Sequence, residues 1–226
     1  MSHNYEIEIK SLLGSQDKAD ALKTSLDNKF PKLKTLSKHR QLNHYFNVGD
    51  FKKLHKAILP YIPKESVEKF SRVLKDGKSF SVRTRDTEGK VQLVIKASID
   101  NTTSDNGISR IEFEAVTPDL TLAKLDKILL DCGFSYQAKW SREREEYEAG
   151  DMHVCLDKNA GYGYVAEFEK VITDPSLSEK AALELRSLMT ELGVSELPQD
   201  RLERMFAHYN KHWSEYYGTD NIFTVL

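Results

Sequence analysis

A two-residue alternation of side chains marks six segments of the chain, 5–10, 80–85, 91–96, 108–116, 140–148 and 162–171. A period of two puts one set of side chains on each face of a strand, so the pattern predicts a mainly antiparallel β protein. Gly77, Glu88-Gly89, Asn106-Gly107, Gly150 and the Gly161/Gly163 pair punctuate these segments, where turns belong. The polar, short-sided stretch 97–107 reads as a mobile hairpin loop.

Helical spacing fills the gaps. Ala19, Leu22 and Leu26 line one face of a helix over 16–29, behind Ser15 as a cap. Thr117-Pro118 is expected to open a second helix striped by Leu122, Leu125, Leu129 and Cys132 and closed by Gly133. Residues 50–75 predict one or two short helices, the second opening at Pro63 with Val67, Phe70 and Leu74 inward. Ala182, Leu185, Met189 and Leu192 stripe a helix over 178–192, and 199–217 forms a last helix rich in Tyr, His and Trp. No linker interrupts the 226 residues, so one domain is expected.

Composition narrows the function classes. A net charge near −2 gives no basic field, so neither nucleic acid nor a membrane surface is an expected partner. Cys132 and Cys155 form neither a zinc framework nor a disulfide scaffold, and no apolar run approaches the roughly 20 residues of a membrane span, so the chain reads as cytoplasmic. The apolar tail 222–226 is expected to pack back on the domain.

With no global field, the charges must be explained by where they sit. Glu6, Glu8 and Lys10 share one strand face while Tyr5, Ile7 and Ile9 share the other. Alone, that strand is a sheet with one solvated side. The pattern recurs at Arg83 and Arg85, at Lys96, at Arg110, Glu112 and Glu114, at Arg142 and Arg144, and at Glu167 and Glu169. Like charges two residues apart stand within about 7 Å and are unfavourable unless something neutralises them. Paired acids suit a hard divalent cation, and paired Arg and Lys suit phosphate oxygens. Both kinds together suit a metal–polyphosphate complex, with the charged faces turned inside a barrel and the apolar faces packed on helices.

These residues resemble a known family. Glu6-Ile7-Glu8-Ile9-Lys10 is similar to the N-terminal ExExK signature of the CYTH family, the adenylate cyclase and thiamine triphosphatase group of triphosphate tunnel metalloenzymes. Further family blocks follow in order: RQLNHYFN at 40–47, SVRTR at 81–85, VIK at 94–96, IEFE at 111–114, RERxxY at 142–147, and Asp157 before EFE at 167–169. The resemblance covers roughly 4–171, with the C-terminal helices 178–217 in the expected place. Arg142 departs from it, standing where many members carry Lys.

The resemblance implies an α+β fold in which eight antiparallel strands close a barrel, the triphosphate tunnel, with helices outside. It implies that Glu6, Glu8, Asp157, Glu167 and Glu169 hold Mg²⁺ or Mn²⁺ or its water. It implies that Lys10, Arg83, Arg85, Lys96, Arg142 and Arg144 bind the triphosphate, with Glu112 and Glu114 supporting. The expected reaction is metal-dependent hydrolysis of a terminal phosphoanhydride, with Glu6 or Glu8 placing the water and Lys96 or Lys10 assisting the leaving oxygen.

Three readings of the substrate stay open. Inorganic triphosphate needs no further pocket and is the default. A class IV adenylate cyclase making cyclic AMP from ATP would need a base-and-ribose pocket, and thiamine triphosphate an aromatic one, for which Trp140 and Trp213 alone are insufficient. A polyphosphate- or nucleotide-binding module without turnover is the non-enzymatic alternative. The chain is expected to be a monomer or homodimer. His208 and His212, four apart on a predicted helix, lack a third ligand for zinc and read as helix surface. No P-loop, HExxH or GxSxG motif occurs.

Overall fold

A computed structural model describes residues 5–98 and 110–224. Eight strands and six helices follow in the order β1 (Tyr5–Gly14), α1 (Gln16–Lys29), β2 (Lys34–Asn47), α2 (Phe51–Ile58), α3 (Lys64–Asp76), β3 (Ser79–Thr87), β4 (Lys90–Ser98), β5 (Arg110–Val116), α4 (Leu122–Asp131), β6 (Ser135–Ala149), β7 (Met152–Asn159), β8 (Gly163–Ile172), α5 (Ser178–Glu191) and α6 (Gln199–Tyr216). The strands form one antiparallel sheet in the order β1-β8-β7-β6-β2-β3-β4-β5. Closure of that sheet into a barrel is not seen among the described residues. The loop expected at 97–107 and the end of the tail, 225–226, lie outside them apart from residues 97 and 98, which end β4.

Contacts divide the chain into two compact units. Among the described residues one comprises 5–40 and 141–224 and the other 41–98 and 110–140, so the long strands β2 and β6 each give one half to each unit. In the first unit, Ile7, Ile9, Val154, Ala166 and Phe168 form the apolar face, and α1 and α5 cover it with Leu22, Leu26, Leu185 and Met189. In the second, Val82, Leu93, Ile95 and Phe113 pack against Leu54, Ile58, Phe70, Leu125 and Leu129. Both cores lie on the side predicted by the alternation, because the intervening positions carry charges whose burial there would go uncompensated.

Two helix starts differ from expectation. Ser15 precedes α1, but its side chain makes no capping hydrogen bond. Thr117 does not cap α4: it is fully buried, and both its N–H and its hydroxyl donate to the Val91 carbonyl, at 2.8 and 3.2 Å. Thr121 takes the capping role, its Oγ1 accepting from the Lys124 N–H at 3.3 Å. The segment Thr-Pro-Asp-Leu-Thr offers two threonines, and the first is held by the sheet. The β3–β4 hairpin turns through Glu88 (φ 51°) and Gly89 (φ 93°). Two successive positive φ values are what a tight two-residue hairpin demands, and they fix the register that sets Arg83 opposite Val94 and Arg85 opposite Gln92.

Candidate active site

The first unit carries a charged face built by four strands in register. Across β1, β8, β7 and β6, one row runs Leu12, Val165, Asp157, Arg144; the next Lys10, Glu167, Cys155, Glu146; the third Glu8, Glu169, His153, Glu148. Directly opposed residues share a face, so the sequence-predicted Glu8, Lys10, Arg144, Asp157, Glu167 and Glu169 converge there, with Glu6 and Arg142 one step along their strands.

Asp157 is the hub. Its side chain is completely buried, and it accepts from Arg142 Nη1 at 3.0 Å and from Arg144 Nε and Nη2 at 2.7 and 2.6 Å. The Arg144 pair is the two-pronged guanidinium–carboxylate arrangement. Arg144 also donates to Glu167, and Lys10 pairs with both Glu167, at 3.2 Å, and Glu8. Burial works against the charged forms of Arg144 and Glu167. Their mutual attraction outweighs it, raising the arginine well above and holding the carboxyl well below its ordinary range. Burial and the surrounding carboxylates push the Cys155 thiol up to about 12 against the pull of Arg144, so it stays protonated.

The second unit carries a matching face. Arg83 and Arg85 of β3 stand between Tyr45 and Asn43 of β2 and the acids of β5. Arg83 Nη2 lies 3.9 Å from Glu112, Lys96 Nζ 3.3 Å from Glu112, and Arg85 Nη1 3.5 Å from Glu114. The arginine side chains are only 13% and 12% exposed, and the Arg83 Nε is buried without a hydrogen-bond partner. Burial opposes the Arg83 charge, but Tyr45 and Glu112 more than restore it. A buried charged donor left without an acceptor calls for a partner, and an anion is one that suits it.

Whether the acids suit a divalent metal is a matter of donor chemistry. Among the described residues, no three His, Cys, Asp or Glu side chains are grouped so as to hold a metal ion. Glu8 stands directly opposite Glu169, however, so two carboxylates lie side by side on this face, with Lys10 paired to Glu8. One or two carboxylates are what Mg²⁺ takes when substrate phosphates and water complete its shell, so the donor set fits.

Several residues on these faces carry no charge to mark them in the sequence. Gln41, Asn43 and Tyr45 share the arginine face of the second unit, and Gln92 donates to Glu114 there. The period of two in Gln-Leu-Asn-His-Tyr-Phe was the available signal. In the first unit the continuous burial of β7 hides its alternation, so nothing in the sequence marks Cys155 and His153 as members of this face. His208 and His212 stack on each other at 4.8 Å, with His212 2.8 Å from Glu215, as a helix surface pair. No helix among the described residues is long and apolar enough to cross a membrane.

The CYTH domain matches residues 70–201. The match begins in α3, so it carries Arg83 through Glu169, while Glu6, Glu8 and Lys10 rest on the pairing of β1 with β8. No curated protein matches the chain. Similar solved structures include a conserved hypothetical protein from Pyrococcus furiosus, with 18% identity and TM-score 0.60 over 84% of this chain and 91% of that one. The PH1819 protein from Pyrococcus horikoshii OT3 gives 19% and 0.59 over 88% and 99%. A "putative adenylate cyclase" from Vibrio parahaemolyticus gives 14% and 0.59 over 90% and 98%. At these identities the likeness is one of fold. Since the CYTH match spans more than half of the sequence and includes both arginine pairs, the chain belongs to the CYTH domain family, the triphosphate tunnel metalloenzymes.

Proposed function

We propose that the chain is a divalent-metal-dependent phosphohydrolase that cleaves the terminal phosphoanhydride of a triphosphate, with inorganic triphosphate as its default substrate. The observation that carries this reading is the buried Arg83 guanidinium, whose Nε has no acceptor, beside a second arginine two residues on. Lys10, Arg142 and Arg144 in one unit, and Arg83, Arg85 and Lys96 in the other, are the phosphate-binding cations of this proposal. The family's closed tunnel is part of the same proposal.

Glu6, Glu8 and Glu169 are the residues that would hold the metal, with Glu167 beside them and Asp157 committed to the two arginines. When bound, Mg²⁺ or Mn²⁺ would neutralise charge on the phosphate oxygens. Glu6 or Glu8 takes a proton from water as the water oxygen bonds to the terminal phosphorus. The bond from that phosphorus to the bridging oxygen breaks, and Lys10 or Lys96 gives the leaving oxygen its proton. Arginines held in place before the substrate arrives stabilise the extra charge without reorganising.

The test offers purified protein and Mg²⁺ or Mn²⁺ three substrates: inorganic triphosphate, ATP and thiamine triphosphate. Phosphate release from inorganic triphosphate is the expected result. Cyclic AMP and pyrophosphate from ATP would make the chain a cyclase, and tight binding with no product would make it a polyphosphate-binding module.

A further inference from the structure

Two arginines at positions i and i+2 of one strand repel each other, and each could swing through several rotamers. In the second unit each is gripped by a different side chain of β2. Tyr45 is directly opposite Arg83, and its hydroxyl oxygen accepts from Arg83 Nη1 at 2.5 Å. The guanidinium carbon stands 5.4 Å from the centre of the Tyr45 ring, within cation–π range. Asn43 is directly opposite Arg85, and its Oδ1 accepts from Arg85 Nε at 3.0 Å. Asn43 is itself 2% exposed and is backed by Gln41, to whose Oε1 it donates at 3.5 Å.

The grips differ in which edge of the guanidinium they occupy. A guanidinium meets two oxygens of an anion side by side through either its Nη1/Nη2 edge or its Nε/Nη2 edge. Tyr45 occupies Nη1 of Arg83, and the Nε of that residue is the buried donor without a partner. Asn43 occupies Nε of Arg85 instead, which leaves the Nη1/Nη2 edge as the one turned to Glu114. The strand between is pinned from behind: on the opposite face, Asp126 of α4 accepts from Thr84 Oγ1 at 2.6 Å and lies 2.6 Å from His44 Nδ1. Thr84 sits between the two arginines and His44 between Asn43 and Tyr45, so β2 and β3 are tied to the same carboxylate where they carry the grips.

We propose that Tyr45 and Asn43 are positioning residues that fix which guanidinium edge Arg83 and Arg85 present to phosphate, Arg83 its Nε/Nη2 edge and Arg85 its Nη1/Nη2 edge. This rests on the reading that these arginines bind triphosphate. It assigns β2 a part in substrate binding through residues that themselves need not touch the substrate. Ordering an arginine before the anion arrives removes a cost that binding would otherwise bear.

The experiment is a double-mutant cycle read as the Kd of the full chain for sodium triphosphate without divalent metal, with thermal unfolding of every variant alongside. Tyr45→Phe keeps the ring and its cation–π contact and removes the hydrogen bond. It is expected to weaken binding about ten-fold, the worth of one hydrogen bond to a charged group, with little change in Tm. In an Arg83→Ala background the same change is expected to have no further effect, because Tyr45 acts only through Arg83. A Kd that moves less than two-fold with Tyr45→Phe, or that weakens equally in both backgrounds, overturns the proposal and leaves the phosphate-binding reading standing. An Arg83→Ala protein that binds triphosphate as well as the unaltered chain overturns that reading, and the proposal with it. Should Tyr45→Phe fail to fold, Asn43→Ala with Arg85→Ala gives the same cycle with the same criteria.

Discussion

Asp157→Asn removes the carboxylate on which two arginines converge while keeping its shape. The carboxylate is 0% exposed, Arg142 and Arg144 are 13% and 12% exposed, and three N–H groups donate to its two oxygens. An amide keeps one acceptor and turns the other into a donor facing a guanidinium, so at least one of the short contacts becomes repulsive. Breaking a buried ion pair by neutralising one partner costs about 3–5 kcal/mol. Glu167 still pairs with Arg144 and offsets part of that, which brings the expected loss to about 2–4 kcal/mol. With a urea dependence of about 2 kcal/mol per molar, the unfolding midpoint should fall by about 1–2 M. The assay is urea unfolding of both proteins followed by circular dichroism, repeated in 1 M NaCl. Salt at that level screens surface charges beyond about 3 Å but reaches a buried pair much less, so the difference should persist. A midpoint shift below about 0.3 M with unchanged slope, or one abolished by salt, would refute the reasoning that Asp157 is a buried electrostatic hub.

Two further outcomes follow from other parts of the fold. Burial raises the Glu145 carboxyl, but Lys23, Lys38 and the Tyr147 hydroxyl together lower it from 4.5 to about 2, so its stabilisation is complete above pH 4.5 and is lost as pH falls through 2. Glu145→Gln should therefore cost about 1–2 kcal/mol at neutral pH, discounted because Lys38 is 72% exposed, and the gap to the unaltered chain should close near pH 2 in acid-unfolding curves; a gap independent of pH would contradict it. Gly161 has φ +79°, and a Cβ there would meet Phe223 and Tyr209 at 2.8 Å, so Gly161→Ala should destabilise by about 2–3 kcal/mol and lower Tm, whereas an unchanged Tm would show that the tail does not pack on the β7–β8 turn.

The strands were legible where one face was charged and the other apolar, because a two-residue period has no other physical source. β1, β3, β4 and β6 contain the segments predicted from alternation, extended by a few residues at their ends, and β8 covers all but the first residue of 162–171. β7 was not legible: Met-His-Val-Cys-Leu-Asp-Lys-Asn is buried from Val154 to Asp157, and continuous burial erases the alternation. Helices α1, α5 and α6 were legible to within a residue because their stripes end at turns, whereas the start of α4 was misplaced onto Thr117, whose partner Val91 lies 26 residues away.

The site divides along the same line. Charged members such as Arg83, Arg85, Arg144 and Glu167 could be named from the sequence, because long charged side chains on one strand face need a reason. Their neutral neighbours Asn43, Tyr45 and Gln92 share the strand period but not the charge, and only the register shows what they hold. The twofold use of Asp157 was likewise invisible, as it depends on β6 lying beside β7.

Whether these charged faces hydrolyse a triphosphate with a divalent metal is read from phosphate release from inorganic triphosphate. The assay compares the unaltered chain with Glu8→Gln and Arg83→Ala proteins, with Mg²⁺ or Mn²⁺ and with chelator. Release is expected to require the metal and to fall at least about a hundred-fold in either variant, the usual scale for removing one preorganised charge from such a site. Variants that keep full metal-dependent activity, or an unaltered chain that releases no phosphate under any metal, would contradict it.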